Sequence, residues 1–143
     1  MAGQYDALKL KKQLCFPLYA CAKEVVRMYK PFLDEIGLTY TQYIALMVLW
    51  EYEKISVKEL GEFLYLDSGT LTPVLKKLEQ KGYIHRCRSV EDERVLLISL
   101  TEAGIALKDE AVKVPIQMGA CMKLNEEEAD TLYRLLYKIL GSI

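Results

Sequence analysis

Three closely spaced helix-start signals constrain this chain more than any other feature of its sequence. The segments Thr39-x-x-Gln42 and Ser56-x-x-Glu59 have the form of capping boxes, in which two side chains satisfy free backbone N–H groups at a helix start. Asp67 or Ser68 supplies a third cap, and Gly82 ends the helix that it opens. A short helix, a brief turn and a second helix have helix-turn-helix proportions. The predicted helices end near residues 51, 64 and 81.

Two segments of β-forming composition follow the third of these helices. They cover residues 83–88 and 95–100, and the charged tip Ser89–Arg94 separates them. This arrangement predicts a two-stranded hairpin, although the tip lacks the Asn-Gly or Asp-Gly of a tight turn. A hairpin directly after a helix-turn-helix is the wing of a winged helix.

A long amphipathic helix is predicted ahead of these motifs, because residues 7–35 carry apolar side chains at helical spacing. Pro17 is expected either to kink it or to start a second segment. Cys15 is placed two turns into this helix, with Lys11 and Lys12 one turn earlier on the same face. Two cations in that position favour a thiolate over a thiol.

Two more helices close the chain. Thr101 caps the first, which Pro115 and Gly119 are expected to interrupt, and Asn125 caps the second. The fold class is therefore mainly α (α+β): a winged helix-turn-helix with flanking dimerisation helices. We expect a single domain over 1–143, with a DNA-binding part at about 39–100 and dimerisation helices at about 7–35 and 102–140.

Charge is distributed unevenly along the chain, although the net charge is only −1. Residues 68–88 hold five basic side chains against one acid, whereas residues 102–130 hold three against seven. A neutral body with one basic face is typical of a protein that binds a polyanion locally.

Several classes of protein are excluded. The N-terminus lacks the basic and apolar regions of a signal peptide, and the apolar runs are too short to span a bilayer. The four cysteines, at positions 15, 21, 87 and 121, have no metal-ligand spacing. We therefore expect a cytoplasmic protein with reduced thiols, with no metal, no other cofactor and no membrane partner.

The third helix has the composition of a recognition helix. Such a helix presents short polar side chains at its N-terminal end and cations for phosphates nearby. Arginines in the wing add phosphate or minor-groove contacts. The candidate DNA-binding residues are Ser68, Gly69, Thr70, Thr72, Lys76, Lys77, Arg86, Arg88 and Arg94.

These segments resemble a known family. Leu64-Tyr-Leu-Asp-Ser-Gly-Thr-Leu-Thr-Pro73, the wing signature Asp92-x-Arg94 and Leu100-Thr-Glu-Ala-Gly104 look like those of MarR-family transcriptional regulators. Gln13-Leu-Cys-Phe-x-Leu-Tyr19 and Leu38-Thr-Tyr-x-Gln-Tyr43 make the chain most similar to the organic-hydroperoxide-sensing repressors of the OhrR type. The resemblance implies a homodimer on a pseudo-palindromic double-stranded operator, with Asp92 belonging to the DNA-contacting wing.

The subgroup resemblance implies that Cys15 is the peroxide-reactive thiol and that Tyr29 and Tyr40 of the other subunit donate hydrogen bonds to it. Helix geometry supports the inter-subunit part independently. Cys15 and Tyr29 share one helix face but are 14 residues apart, so they lie about 21 Å from each other along an unbroken helix. Tyr19, one turn after Cys15, is expected to line the site.

A sulfenic acid on Cys15 needs a second thiol to stop further oxidation. Cys21 lies about 240° around the helix from Cys15, which excludes it as the partner while the helix is intact. Cys121 resembles the resolving cysteine of two-cysteine members of the subgroup. The alternative is a mixed disulfide with a low-molecular-weight thiol.

We therefore expect a repressor, not an enzyme, that releases its operator when an organic hydroperoxide or related oxidant oxidises Cys15. A second interpretation, within the same fold, is a regulator that responds to a small phenolic ligand in the dimer crevice. A third is a thiol peroxidase, which has no use for a helix-turn-helix and wing.

Overall fold

The computed structural model describes residues 3–142. Two short 3-10 turns, Asp6–Leu8 and Leu10–Lys12, precede eight α-helices and three strands. In chain order these are α1 Cys15–Asp34, α2 Tyr40–Tyr52, β1 Lys54–Ser56, α3 Val57–Leu64, α4 Ser68–Gln80, β2 Ile84–Arg88, β3 Leu96–Leu100, α5 Glu102–Ala106, α6 Lys108–Ala111, α7 Lys113–Cys121 and α8 Glu126–Leu140.

The helix starts predicted from capping residues are confirmed, and each is held by the expected side chain. The Thr39 hydroxyl accepts from the Gln42 backbone N–H at 3.3 Å, and the side-chain Oε1 of Gln42 accepts from the Thr39 N–H at 3.0 Å. The Ser56 hydroxyl accepts from the backbone at the third residue of α3, and Asp67 does the same for α4 at 2.7 Å. Asn125 forms a second complete capping box at α8. These caps fix where the helix-turn-helix elements begin.

The centre of the core lies inside the winged-helix part, and the core extends to Leu33 of α1 and Val114 of α7. Leucines of α2, α3 and α4 pack together with one residue of the central strand, and all are fully buried. These residues are Leu46, Leu49, Leu60, Leu71, Leu75, Leu78 and Ile98. Their burial leaves the polar face of α4 pointing outward, which is the arrangement that a recognition helix needs.

The hairpin of β2 and β3 is confirmed, and β1 adds a third antiparallel strand to give the order β1-β3-β2. Ile55 of β1 pairs with Ile98 of β3. The sequence did not predict β1, because three residues, the last of which is the helix cap Ser56, are too few to show an alternating pattern. The strand exists through its pairing with β3.

The first helix begins at Cys15, so the prediction of a helix from residue 7 is wrong. Pro17 explains the difference. A helix extended toward the N-terminus would need the N–H that Pro17 lacks and would bring its ring against the carbonyl of Gln13. In the third position of α1 the proline is tolerated, because the first turn needs no such bond.

The predicted interruption of the later helix lies earlier than expected, at two positions before Pro115. The breaks fall at Leu107 and Val112, whose φ and ψ angles remain helical, whereas Gly119 lies inside α7. Pro115 is the third residue of α7. Since it cannot donate to the carbonyl of Ala111, where α6 ends, its effect appears four residues before the proline itself.

Large apolar faces remain uncovered outside the winged-helix part. None of the residues of α8 is buried within the chain. The start of α1 and the outer face of α7 are also exposed, with Leu14 at 80% and Ile116 at 75%. On α8 the exposed apolar side chains are Leu132, Tyr133, Leu135, Tyr137 and Ile139. Among residues 3–142, no helix has the length and apolarity to cross a membrane.

Candidate DNA-binding surface and thiol site

The predicted recognition residues lie on the exposed face of α4. Ser68, Gly69, Thr70 and Thr72 are all exposed at its N-terminal end, and Lys76 and Lys77 follow on the next turn. The Thr72 hydroxyl donates to the Ser68 carbonyl at 2.7 Å, which fixes its rotamer. Hydrogen bonds from the Thr70 backbone, and then from its hydroxyl, hold the pKa of the Asp67 cap below its ordinary value. The cap therefore remains a carboxylate and keeps the helix start ordered.

The wing tip reaches the same surface as the recognition helix. Arg94 lines a groove together with Ser68, Thr72 and Lys58 of the preceding helix α3. The structure thus brings together residues that the sequence separates by more than twenty positions. Lys58 was missed among the sequence predictions, since it lies on a helix with acidic neighbours and shows no distinctive pattern.

Asp92 acts on Arg94 directly. Its two carboxylate oxygens accept from Nε and a terminal nitrogen of Arg94, each at 3.1 Å, and one of them also accepts the Arg94 backbone N–H. The side-chain bond to Arg94, the largest cause, lowers the pKa of Asp92. Arg94 remains 89% exposed. Asp92 therefore orients an arginine that points away from the protein body.

Arg86 and Arg88 have different surroundings. Arg88 is exposed at the end of β2. Arg86 forms an ion pair with Glu79 of α4 at 3.0 Å, and its side chain is only 21% exposed. The hydrogen bond from Arg86 is the main reason that the pKa of Glu79 is lowered. Arg86 thus ties the wing to the recognition helix.

Cys15 is the first residue of α1 and is exposed. The expectation that Lys11 and Lys12 share its helix face is wrong, because both lie in a 3-10 turn before the helix. Lys12 instead forms an ion pair with Asp6. The exposed side chains around Cys15 are Leu14, Phe16, Leu18 and Tyr19.

Three tyrosines cluster at the opposite end of α1. The ring centroids of Tyr29 and Tyr40 are 4.9 Å apart, and Tyr43 lies 5.8 Å from the first and 6.4 Å from the second. Burial raises the pKa of Tyr29 and of Tyr40, and burial followed by the two neighbouring phenols raises the pKa of Tyr43 to about 12. All three are neutral hydrogen-bond donors at neutral pH.

Tyr43 was missed as a site residue. It lies three residues after Tyr40 on α2, which places both on one helix face. That spacing is visible in the sequence, but the approach of Tyr43 to Tyr29 depends on how α1 packs on α2.

An unbroken α1 separates Cys15 from the tyrosine cluster. The helix continues from Cys15 to Asp34, so the rise of about 1.5 Å per residue puts Tyr29 about 21 Å from Cys15 within one chain. Cys15 and the phenols are therefore not brought together within a single chain. Their contact requires a second copy.

The other cysteines are also exposed: Cys21 on α1, Cys87 on β2 and Cys121 at the end of α7. Cys121 is the last residue of a continuous α7, so the interruption expected at Gly119 does not separate it from the helix. Across residues 3–142, no three potential ligands cluster in a way that could hold a metal ion.

Comparison with known proteins gives the family. The family described as transcriptional regulator SarA/Rot matches residues 27–111. Over all 143 residues the chain is 50% identical to the organic hydroperoxide resistance transcriptional regulator of Bacillus subtilis, covering 97% of that protein. It also aligns with the crystal structure of an Escherichia coli MarR variant at a TM-score of 0.70 and 27% identity, covering 90% of this chain and 96% of that one. The chain belongs to the MarR family.

The structural match to MarR confirms the predicted winged-helix fold. The relatives and the matched family are transcriptional regulators, which confirms the prediction of a regulator and not an enzyme. A further relative is AbfR of Staphylococcus epidermidis, whose structures are described as reduced and bound to DNA and as overoxidized and bound to DNA. The TM-scores are 0.83 and 0.80, each at 31% identity. The matches cover 98% and 99% of this chain and 96% and 100% of the AbfR chains.

Proposed function

We propose that this MarR-family regulator is a homodimeric repressor that binds its operator while Cys15 is reduced and releases it after an organic hydroperoxide oxidises that thiol. The observation that carries the proposal is the position of Cys15, exposed at the start of an unbroken helix whose far end holds the phenols. The Bacillus subtilis relative named for organic hydroperoxide resistance supports the choice of oxidant. A reducing cytoplasm keeps Cys15 in its reduced form until an oxidant reacts with it.

A second copy of the chain supplies the tyrosines that Cys15 cannot reach within its own chain. The dimerisation helices, about 7–35 and 102–140, carry the exposed apolar faces of α1, α7 and α8, and burying such faces drives association. An antiparallel or crossed arrangement of the two α1 helices brings Tyr29 of the partner subunit to Cys15, together with the partner's Tyr40, which lies beside it at the start of α2. The part at about 39–100 then binds DNA, with two recognition helices in successive major grooves of a pseudo-palindrome.

The oxidation step needs a thiolate and a neutral proton donor. The Cys15 thiol gives up its proton, and the thiolate sulfur attacks the terminal oxygen of the hydroperoxide. An S–O bond forms while the O–O bond breaks, which leaves a sulfenic acid on Cys15, and the leaving alkoxide takes up one proton to depart as an alcohol. Tyr29 and Tyr40 are neutral phenols, so they can hydrogen-bond both the thiolate and the peroxide. The apolar side chains beside Cys15 favour an organic substituent over hydrogen peroxide.

Release of DNA follows from a disulfide. AbfR is described as bound to DNA in an overoxidized form, so we infer that added oxygen atoms alone do not release DNA. The thiol of Cys121 attacks the Cys15 sulfenic sulfur, the S–O bond breaks and water leaves. A low-molecular-weight thiol is the alternative attacking group. A covalent link between the dimerisation helices changes the spacing of the recognition helices.

DNA recognition divides between α4 and the wing. Ser68, Thr70 and Thr72 read base edges, with Gly69 allowing close approach, and Lys76 and Lys77 bind phosphates with Arg88. Arg94, oriented by Asp92, enters the minor groove. We assign Arg86 to holding the wing, because Glu79 neutralises it.

Replacing Arg94 by alanine should lower affinity for operator DNA about 10-fold, which corresponds to about 1.4 kcal/mol and is ordinary for one arginine contact. Arg27→Ala is the matched control, because Arg27 is also an exposed arginine paired with a nearby acid and lies on α1. Fluorescence anisotropy at one fixed salt concentration measures both. Equal losses for the two variants would remove the wing tip from the DNA contact.

A mobility shift with DNA from upstream of the protein's own gene tests the proposed function. The reduced protein should shift the DNA, and cumene hydroperoxide should abolish the shift while non-reducing mass spectrometry detects a disulfide at Cys15. DNA binding that persists after Cys15 is quantitatively in a disulfide contradicts the proposal. Release by a phenolic ligand with Cys15 still reduced would favour the ligand-responsive alternative.

A further inference from the structure

We propose that Tyr43 is a positioning residue of the sensor, whose ring holds the phenols of Tyr29 and Tyr40 in the orientation that meets Cys15 of the partner subunit. This inference rests on the proposed function and names a further residue for it. Tyr43 itself does not need to touch the thiol or the hydroperoxide.

The geometry distinguishes Tyr43 from the other two rings. Tyr43 is 2% exposed and belongs to the buried core, whereas Tyr29 and Tyr40 are only partly buried at its edge. The three rings are mutually tilted by 43° to 48°. The rings of Tyr29 and Tyr40 therefore each contact the Tyr43 ring as well as each other. Tilted aromatic contacts at these distances are attractive and directional.

The backbone beneath Tyr43 is held firmly. Its N–H donates to the Thr39 carbonyl at 2.9 Å, within the first turn of α2 that the capping box closes. The neighbouring residue Gln42 is buried and accepts from Lys81 at the end of α4 at 3.2 Å. Lys81 also donates to the Gly37 carbonyl in the turn between α1 and α2. Tyr43 is therefore held in a fixed position on α2, where its ring contacts Tyr29 of α1 and Tyr40 of α2.

The consequence is kinetic. Hydrogen bonds to a thiolate and a peroxide are directional, and small displacements of a positioning group slow a reaction strongly. Without the Tyr43 ring, Tyr29 and Tyr40 can still donate hydrogen bonds, but they lose the aromatic contact that limits rotation of their side chains. The oxidation of Cys15 should then slow, while the recognition helix and the wing still bind DNA.

Three variants test this inference: Tyr43→Leu removes the ring, Tyr43→Phe keeps the ring and removes the hydroxyl, and Leu46→Ala is the control. Leu46 is a fully buried residue of the same helix and is not a member of the tyrosine cluster. For each reduced dimer we would measure operator affinity, unfolding by urea, and the rate of Cys15 oxidation by cumene hydroperoxide.

Tyr43→Leu should slow Cys15 oxidation about 10-fold, as expected when a positioning contact is lost. Tyr43→Phe should oxidise within about twofold of the wild type, because the supporting ring remains. Leu46→Ala should lower stability and leave the oxidation rate unchanged. Oxidation of Tyr43→Leu at the wild-type rate, or slowing of Leu46→Ala by the same factor, would overturn the inference.

Failure of the inference and failure of the proposed function have different signatures. If the wild type stays on DNA although Cys15 is in a disulfide, the proposed function fails whatever Tyr43 does. If the wild type releases DNA and the double variant Tyr29→Phe, Tyr40→Phe is slow while Tyr43→Leu is fast, only the role of Tyr43 fails.

Discussion

Replacing Cys15 by serine should leave operator affinity unchanged and abolish release by organic hydroperoxide. A serine hydroxyl has nearly the shape of the thiol but cannot form a sulfenic acid or a disulfide. Cys15 belongs neither to the buried core nor to α4 or the wing, so we expect the DNA contacts to be undisturbed. Titration of the DNA complex with cumene hydroperoxide, followed by anisotropy, measures the response.

The remaining cysteines provide matched controls. Cys21→Ser and Cys87→Ser also remove an exposed thiol and should respond like the wild type. Cys121→Ser separates the two resolving routes: it should lose release by hydroperoxide alone but regain it when a small thiol is added. Full release of Cys15→Ser by hydroperoxide would contradict the sensor role.

The second large effect concerns the structure that carries the DNA-binding surface. Replacing Gly104 by alanine should lower the free energy of unfolding by about 3 kcal/mol, at the upper end of overpacking costs. A Cβ at Gly104 would overlap the backbone oxygen of Tyr83 and lie 3.1 Å from a methyl group of Leu100. Neither the wing nor α5 can move away freely, since the Tyr83 carbonyl accepts the Thr101 N–H and the Gly104 carbonyl accepts from Trp50 at 2.9 Å.

Gly119→Ala is the matched control for that prediction. Gly119 lies inside α7, and a methyl group added there would have no other atom within 4 Å. Alanine at this position should therefore stabilise the protein by about 0.5–1 kcal/mol through helix propensity. Urea unfolding followed by circular dichroism measures both variants. Equal stability of Gly104→Ala and the wild type would mean that α5 does not pack against the wing.

The elements that could be predicted from the sequence are those set by local contacts. Thr39, Ser56 and Asp67 act on backbone groups three residues away, so their roles are visible in short motifs. The helical spacing of Leu71, Leu75 and Leu78 likewise indicates which face of α4 is buried.

The features that could not be predicted depend on how elements pack. β1 forms because Ile55 meets Ile98, more than forty residues later. The pairing of Arg86 with Glu79 requires β2 to lie against α4, and the approach of Tyr43 to Tyr29 requires α2 to lie against α1.

The start of α1 was misplaced for a different reason. Apolar residues at helical spacing continue through residues 7–14, which favours a helix there. Pro17 prevents the hydrogen bonds that would extend the helix in that direction, so α1 begins at Cys15. A stereochemical constraint at one residue thus overrides the apolar pattern of the segment before it.

Cys15 and the phenols form a site shared between two subunits in the proposed dimer, and heterodimers of two differently tagged copies test that claim most directly. One heterodimer carries Cys15→Ser in one copy and Tyr29→Phe with Tyr40→Phe in the other. The second pairs a wild-type copy with a copy carrying all three substitutions. Both contain one reactive Cys15 and one pair of intact tyrosines, so their composition is identical.

In the first heterodimer the surviving Cys15 faces the intact tyrosines of the other copy, and it should be oxidised by cumene hydroperoxide at the wild-type rate. In the second it faces phenylalanines and should react about 10-fold more slowly, the effect of losing about 1.4 kcal/mol of hydrogen bonding in the transition state. Equal rates in the two heterodimers, or faster oxidation of the second, would contradict a site built from two subunits.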